Sequence, residues 1–296
     1  MDNAVIISAC RTPIGSFGGA LKDLSASDLG AVVIREAIRR GDVKAADLGD
    51  VIMGCVLQAG AGMNVARQAS LKAGVPVEVP AMTVNRVCGS GLQAVVQAVE
   101  AVKAGFIDLI LAGGTESMSN APYLLKGARW GYRMGDGEMV DSMLHEGLTC
   151  AMNGCHMGMT AEEVARRFGV TRADQDAFAA GSQARASKAI ESGVFDKEIV
   201  PVEVPQKKGA PVVVSRDEYP RAGTTVEKLA ALRAAFTKEG SVTAGNASGI
   251  NDGAAALVVA TEAWAKKDGR KPLAKILSYC TTGVPWRVAW PWAPGR

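Results

Sequence analysis

The chain has 296 residues, 48% of them hydrophobic and 21% charged, a composition that fits a soluble globular protein with a sizeable core in one large domain or two. A net charge of +3 is too small to argue for nucleic acid or an anionic membrane, and no apolar run reaches the roughly 18 residues of a membrane span. Six irregularly spaced cysteines read as reduced thiols, and the N-terminus MDNAVIISACRTP lacks the basic-then-apolar layout of a secretory signal, which together point to a cytoplasmic protein.

Residues 4–9 form an apolar run expected as a buried strand, followed by a loop through Arg11-Thr12-Pro13 and the glycines 15–19. Ser25 and Asp28 make an S-x-x-D helix start, and Leu29, Val32, Val33 and Ala37 carry that helix to Gly41. A short strand over 50–54 and a helix over 64–73 follow, the latter stopped by Gly74 and Pro76. Ala81, Met82 and Val84 then end a strand that runs into VNRVCGSGLQAVV, residues 84–96.

In that stretch Leu92, Val95, Val96 and Val99 recur at helical spacing, so Cys88 falls at a strand-to-helix turn among Gly89, Ser90 and Gly91. Orphan N–H groups and the helix dipole at such a turn favour a thiolate, and glycines let a substrate carbonyl approach the backbone. Cys88 therefore reads either as a nucleophile or as a structural thiol in a tight βα turn. Residues 107–112 give another buried strand entering a turn at Gly113-Gly114-Thr115-Glu116. The βαβαβ rhythm predicts an α/β fold with a mostly parallel sheet and helices on both faces.

From about Ser117 the pattern changes, with seven methionines between 117 and 160 and no sustained period, which reads as loops over a site or an oligomer contact. Thr160-x-x-Glu163 and Thr171-x-x-Asp174 are expected to open two amphipathic helices whose charges are solvated faces. Edge strands are expected at 199–204 and 212–214, around Lys207-Lys208-Gly209. The small-residue segment VTAGNASGINDG, residues 242–253, allows backbone to lie against a ligand and leads into a strand over 255–260. A linker over 266–272 and a strand over 274–279 open a further unit. The last 13 residues, VPWRVAWPWAPGR, carry three of the five tryptophans and show neither helical nor strand period.

His145, Cys150, Cys155 and His156 match no zinc spacing, so no metal site is expected, and Gly60-Ala61-Gly62 lacks the strand and later glycine of a dinucleotide loop.

With Cys88 and its flanks in place, the chain resembles the thiolase family from near its start to Gly283. The specific segments are ISACRTPIG (7–15), VNRVCGSGLQAV (84–95), LAGGTESMS (111–119), NGCHMGMTAE (153–162) and VTAGNASGINDGAAAL (242–257). The His156-Met157-Gly158 segment is similar to the biosynthetic acetoacetyl-CoA type. The resemblance implies a layered α/β/α thiolase-like fold with a buried active site, and a homodimer or homotetramer. Its domains would be an N-terminal domain over 1–265, with an inserted loop or cap region at about 117–245, and the start of a truncated C-terminal domain over 270–296. The second half of the family fold would thus be largely missing, and the tail 284–296 reads as the product of a frame change. A half-sheet lacking its partner domain would expose a broad apolar face and favour aggregation.

The implied reaction joins two acetyl-CoA into acetoacetyl-CoA and CoA, or reverses this by thiolysis, through an acyl-thioester on Cys88. The substrates are coenzyme A thioesters; no further cofactor is implied. The resemblance assigns CoA contacts to Leu148, His156, Met157, Arg221, Ala244, Gly245 and Ser248. A guanidinium at Arg221 suits the phosphates of CoA, although a solvated arginine, a satisfied structural His156 and simple close packing at Ser248 explain the same residues. The family draws its activating histidine and its second acid/base cysteine from G-H-P and C-x-G motifs, and also carries an N-E-A-F motif. None of the three occurs in this sequence, so impaired turnover is expected. Competing readings are a broader-range 3-ketoacyl-CoA thiolase and a non-catalytic CoA-binding or subunit-interaction remnant.

Overall fold

The computed structural model describes residues 3–267 and 269–283. In chain order the strands and α-helices are β1 (Ala4–Arg11), β2 (Gly15–Ser16), α1 (Ala26–Gly41), β3 (Asp50–Gly54), α2 (Val65–Lys72), β4 (Ala81–Val84), α3 (Ser90–Lys103), β5 (Leu109–Ser117), β6 (Tyr123–Leu124), β7 (Val140–Asp141), α4 (Met157–Phe168), α5 (Arg172–Glu191), β8 (Val202–Val204), β9 (Val212–Val214), α6 (Val226–Ala230), β10 (Asn251–Thr261), α7 (Glu262–Lys267) and β11 (Ala274–Lys275). They divide between two compact units. The first comprises Met1–Tyr123, Phe195–Glu218 and Ile250–Cys280; the second comprises Leu124–Val194, Tyr219–Gly249 and Thr281–Arg296. The chain thus leaves the first unit after β5, returns to it for the β8–β9 hairpin, leaves it again through α6, and rejoins it at β10. The tail 284–296 lies outside the described residues.

The first unit is built on a seven-stranded sheet of order β11-β1-β10-β5-β3-β4, with β2 also paired to β10. β3 runs parallel to β4 and β5, while β10 runs antiparallel to β1, β2 and β5. Five strands therefore share one direction and β10 and β11 oppose them, so the expected mostly parallel sheet holds in direction. Alternation along each strand serves two cores. Leu109 and Leu111 face the layer of α1 and α2 with Val51, Met53 and Ala256, whereas Ile110 and Ala112 join Ile52, Ala94, Ala98 and Val99 against α3. This gives the α/β/α layering.

Local signals act where expected. Ser25 and Asp28 close a reciprocal capping box on α1, and Thr171 and Asp174 do the same on α5. The β10 strand is four residues longer at its start than the apolar run alone implies, because Asn251 and Asp252 pair with β2. The expected turn at 113–116 is instead continuous strand: Gly113 and Gly114 lie in β5 opposite Ala256 and Ala255. The 274–279 strand is confined to Ala274–Lys275, and the expected linker begins inside α7.

On α1, Glu36 bonds the guanidinium of Arg39 and, one turn on, that of Arg40, each at 2.7 Å. The Arg39 contact first, and then Arg40, holds the Glu36 carboxyl at about 2, against an ordinary 4.5. A depressed carboxyl contributes stability that is present above the unfolded value and lost as pH falls through the folded one. Stability should therefore decline between about pH 4.5 and pH 2, and Glu36→Gln should flatten that limb in urea titrations repeated across the acid range.

Candidate active site

Cys88 lies beyond the C-terminal ends of the parallel strands β3 and β4, the edge at which open α/β sheets carry ligand sites. It stands two residues ahead of α3, whose N-cap is Gly89. The turn is clamped by Ser90, which is buried: its hydroxyl accepts from the Arg86 N–H (2.8 Å) and donates to the Val87 carbonyl (2.6 Å). Gly89 N–H and Ser90 N–H close onto the carbonyls of Arg86 and Val87. The first intrahelical bond runs from Gln93 N–H to the Gly89 carbonyl. Of the orphan donors at the helix start, those of Gly91 and Leu92 remain among the described residues.

The Cys88 thiol is exposed among the described residues. It edges a cavity of about 360 Å³ with Arg11, Gly54, Glu116, Asn251 and Asp252 among its lining residues. A Cβ on Gly54 would stand 2.4 Å from the nitrogen of Gly91, and one on Gly114 3.1 Å from the Cα of Gly91, so α3 lies directly on β3 and β5. Arg11 is held by a bidentate pair with Asp217 (2.7 and 3.0 Å) and by Glu198 (2.7 Å). Asp252, fully buried, accepts from the Ser119 hydroxyl at 2.6 Å.

The remaining cysteines differ in setting. Burial pushes the Cys10 thiol up to about 12 and raises Cys55 still further, so both resist ionisation. Cys150 and Cys155 are half-buried and Cys280 is exposed. Among the described residues no group of three His, Cys, Asp or Glu side chains is placed to hold a metal ion.

The other expected site residues, Leu148, His156, Met157, Arg221, Ala244, Gly245 and Ser248, all belong to the second unit. A short hairpin brings the first three together: Leu148 ends a π-helical turn, Thr149 pairs with His156, and Cys150 N–H donates to the Cys155 carbonyl at 2.9 Å. The helix expected to open at Thr160 starts earlier, at Met157, because His156 caps it: its Nδ1 accepts from Gly158 N–H at 3.0 Å. A ring nitrogen used as an acceptor leaves the ring proton on Nε2. The ring stacks on Phe236, with centroids 5.0 Å apart. Phe236 fits only because residue 158 is glycine; a Cβ there would stand 2.2 Å from the ring.

Ala244, Gly245 and Ser248 lie on a segment held by charges that the helical periodicity assigned to solvent. Glu162 accepts from Ser241 N–H, Ser241 Oγ and Val242 N–H at 2.9–3.0 Å. Partial burial works against the charge, but these donors hold the Glu162 carboxyl below its ordinary range. Asp176, 1% exposed, takes Arg172 Nε at 2.7 Å and Asn246 Nδ2 at 2.9 Å, and Asn246 Oδ1 accepts from Thr243 N–H. Gly245 packs against Leu229 and Leu232, while Ala244, Ser248 and Arg221 are exposed. The backbone N–H of Arg221 donates to Gln183.

Sequence reasoning singled out the thiol and missed its supports. An asparagine two residues ahead of a turn amide is a readable signal: Asn85 Oδ1 accepts from Val87 N–H at 2.9 Å. Nothing local marks Glu116 or Phe236.

Residues 4–263 match the family model described as the thiolase N-terminal domain. The chain is 53% identical to an acetyl-CoA acetyltransferase of Cupriavidus necator, over 97% of this chain and 73% of that protein. It is 56% identical to an acetyl-CoA acetyltransferase of Escherichia coli K12, over 96% of this chain and 72% of the relative. The crystal structure of the Bacillus anthracis acetyl-CoA acetyltransferase superposes with a TM-score of 0.95 at 45% identity, covering 97% of this chain and 73% of that one. The domain match over most of the chain and the level of identity agree, and the chain belongs to the thiolase family.

Proposed function

We propose that this chain transfers acetyl groups between coenzyme A thiols through a thioester on Cys88, as one half of acetoacetyl-CoA synthesis or of its thiolytic reverse. The observation that carries the proposal is the exposed Cys88 thiol at the start of α3, beside an open cavity, in a chain more than half identical to acetyl-CoA acetyltransferases. The Cys88 sulfur attacks the acetyl carbonyl, the carbon–sulfur bond to CoA breaks, and CoA leaves as a thiolate that takes up the proton. One thioester replaces another, so little free energy is lost, and the acyl-enzyme stays electrophilic enough for the next attack. A serine ester would not.

Leu148, His156, Met157, Ala244, Gly245 and Ser248 supply the pantetheine environment in this reading, and Arg221 pairs with a CoA phosphate. A homodimer or homotetramer in the cytoplasm is the assembly and setting that go with it. The second half-reaction removes a proton from the methyl carbon of another acetyl-CoA and needs a base and donors for the enolate oxygen. The C-x-G and N-E-A-F motifs that provide them in the family do not occur among these 296 residues, and neither does the G-H-P histidine that activates the nucleophile, so acetyl uptake itself should be slow.

The purified polypeptide is therefore expected to take up one acetyl group from acetyl-CoA and to release it to added CoA. Its thiolysis of acetoacetyl-CoA should run at least about a hundredfold slower than that of a full-length relative, the usual scale of a lost general base. Intact-mass spectrometry and a thiolysis assay check the two halves separately. Turnover equal to the relative's would overturn the impaired reading, and acetylation at any cysteine other than Cys88 would overturn the site.

A further inference from the structure

Glu116 has no part in the acyl transfer described above, yet it occupies a place where a carboxyl is costly. It lines the cavity beside Cys88, near the end of β5, and burial pushes its carboxyl up while the amides it meets pull the other way. Three donors from one loop converge on it. Val56 N–H reaches Oε2 at 2.8 Å, Leu57 N–H reaches Oε1 at 3.0 Å, and the Cys55 thiol reaches Oε1 at 3.5 Å. Only an acceptor satisfies all three, which is what a carboxylate provides and a carboxamide does not.

The gripped loop is in turn tied to the nucleophile turn. Cys55 N–H donates to the Val84 carbonyl at 3.1 Å, and Asn85 Nδ2 donates to the Val56 carbonyl at 3.3 Å. Asn85 then accepts the Val87 N–H through Oδ1. Val87 sits at φ +50°, a left-handed conformation that β-branched residues avoid and that persists only where surrounding contacts over-determine it. The next residue is Cys88. Glu116, the 55–57 loop, Asn85 and Val87 thus form a continuous hydrogen-bonded path ending at the peptide of the acyl-accepting cysteine.

We propose that Glu116 is a positioning residue for Cys88: it fixes the 55–57 loop, which through Asn85 holds Val87 left-handed and sets the thiol at the cavity edge. This rests on Cys88 as the acylated residue, but its readouts do not require turnover.

The test uses amide hydrogen exchange of the full chain and competitive alkylation by iodoacetamide, with exposed Cys280 as the internal reference. Glu116→Gln should speed exchange at Val56 and Leu57 and also at Val87, two links away, by about tenfold or more, and should change the Cys88-to-Cys280 alkylation ratio by about threefold or more. Asn85→Ala cuts the path midway; it should raise Val87 exchange and shift the alkylation ratio while leaving Leu57 protected. A purely structural Glu116 would lose protection at Val56 and Leu57 only. The proposal is overturned if Glu116→Gln leaves Val87 exchange and the alkylation ratio within about twofold of wild type. Should that variant not fold, an unchanged ratio in Asn85→Ala overturns it. A wild-type chain that takes no acetyl group at Cys88 would instead remove the acyl-transfer reading and leave the exchange results standing.

Discussion

Cys88→Ser is expected to abolish acetyl transfer, by about a thousandfold or more, while leaving the urea midpoint of the chain unchanged. The thiol is exposed, so its loss removes no core contact and leaves no buried donor unpaired. What it removes is the only exposed sulfur among the cavity's lining residues. Serine keeps the geometry but presents a poorly ionised hydroxyl, and any ester formed is a weaker acyl donor to CoA. The measurement is the mass of the chain after exposure to acetyl-CoA, with peptide mapping of the acetylated residue. Cys150→Ser serves as the contrasting variant and should acetylate as wild type does. Acetyl uptake by Cys88→Ser at the wild-type rate would move the reaction to another residue.

Gly113→Ala is expected to cost at least about 3 kcal/mol and to be the most damaging single methyl that can be added to the sheet. The new Cβ would stand 2.1 Å from the carbonyl oxygen of Ala255 and 2.9 Å from the Cα of Ala256, both backbone atoms of the neighbouring strand. No side chain can swing aside to relieve that approach. β5 would have to part from β10, the most central pair in the sheet. Gly91→Ala is the control. Its Cβ would lie no closer than 3.7 Å to any neighbour, in ordinary contact, and alanine favours the first turn of α3. Urea unfolding of the two variants should separate them by more than about 2 kcal/mol, and equal stabilities would mean that β5 and β10 tolerate far more separation than close packing allows.

Much of the fold was legible in the chain because it is written in short-range terms. Ser25 with Asp28, and Thr171 with Asp174, are three residues apart and cap their helices whatever surrounds them. The apolar runs at residues 4–9 and 50–54 became β1 and β3 at nearly the same bounds. The five motif segments identified the family and Cys88, and the domain match and relatives agree on that family. The misplaced features share a different character. Gly113 and Gly114 read as a turn because glycine is a turn former, yet they belong to a strand whose partner, β10, lies some 140 residues on and leaves no room for side chains. Helix α4 began early because a histidine acts as its cap, which cap preferences for small polar residues do not anticipate.

The sequence by itself determined helices α1, α2, α3 and α5, strands β1 and β3, the family and which sulfur sits at a strand-to-helix turn, since periodicity, capping and turn chemistry are interactions between residues a few positions apart. Only the tertiary structure decided that β10 inserts antiparallel between β1 and β5, that Glu162 and Asp176 grip the 241–246 segment, and that Cys10 and Cys55 are buried while Cys88 is not. Those outcomes depend on desolvation and on backbone approaching backbone, quantities fixed by partners tens to hundreds of residues away, which no local pattern carries.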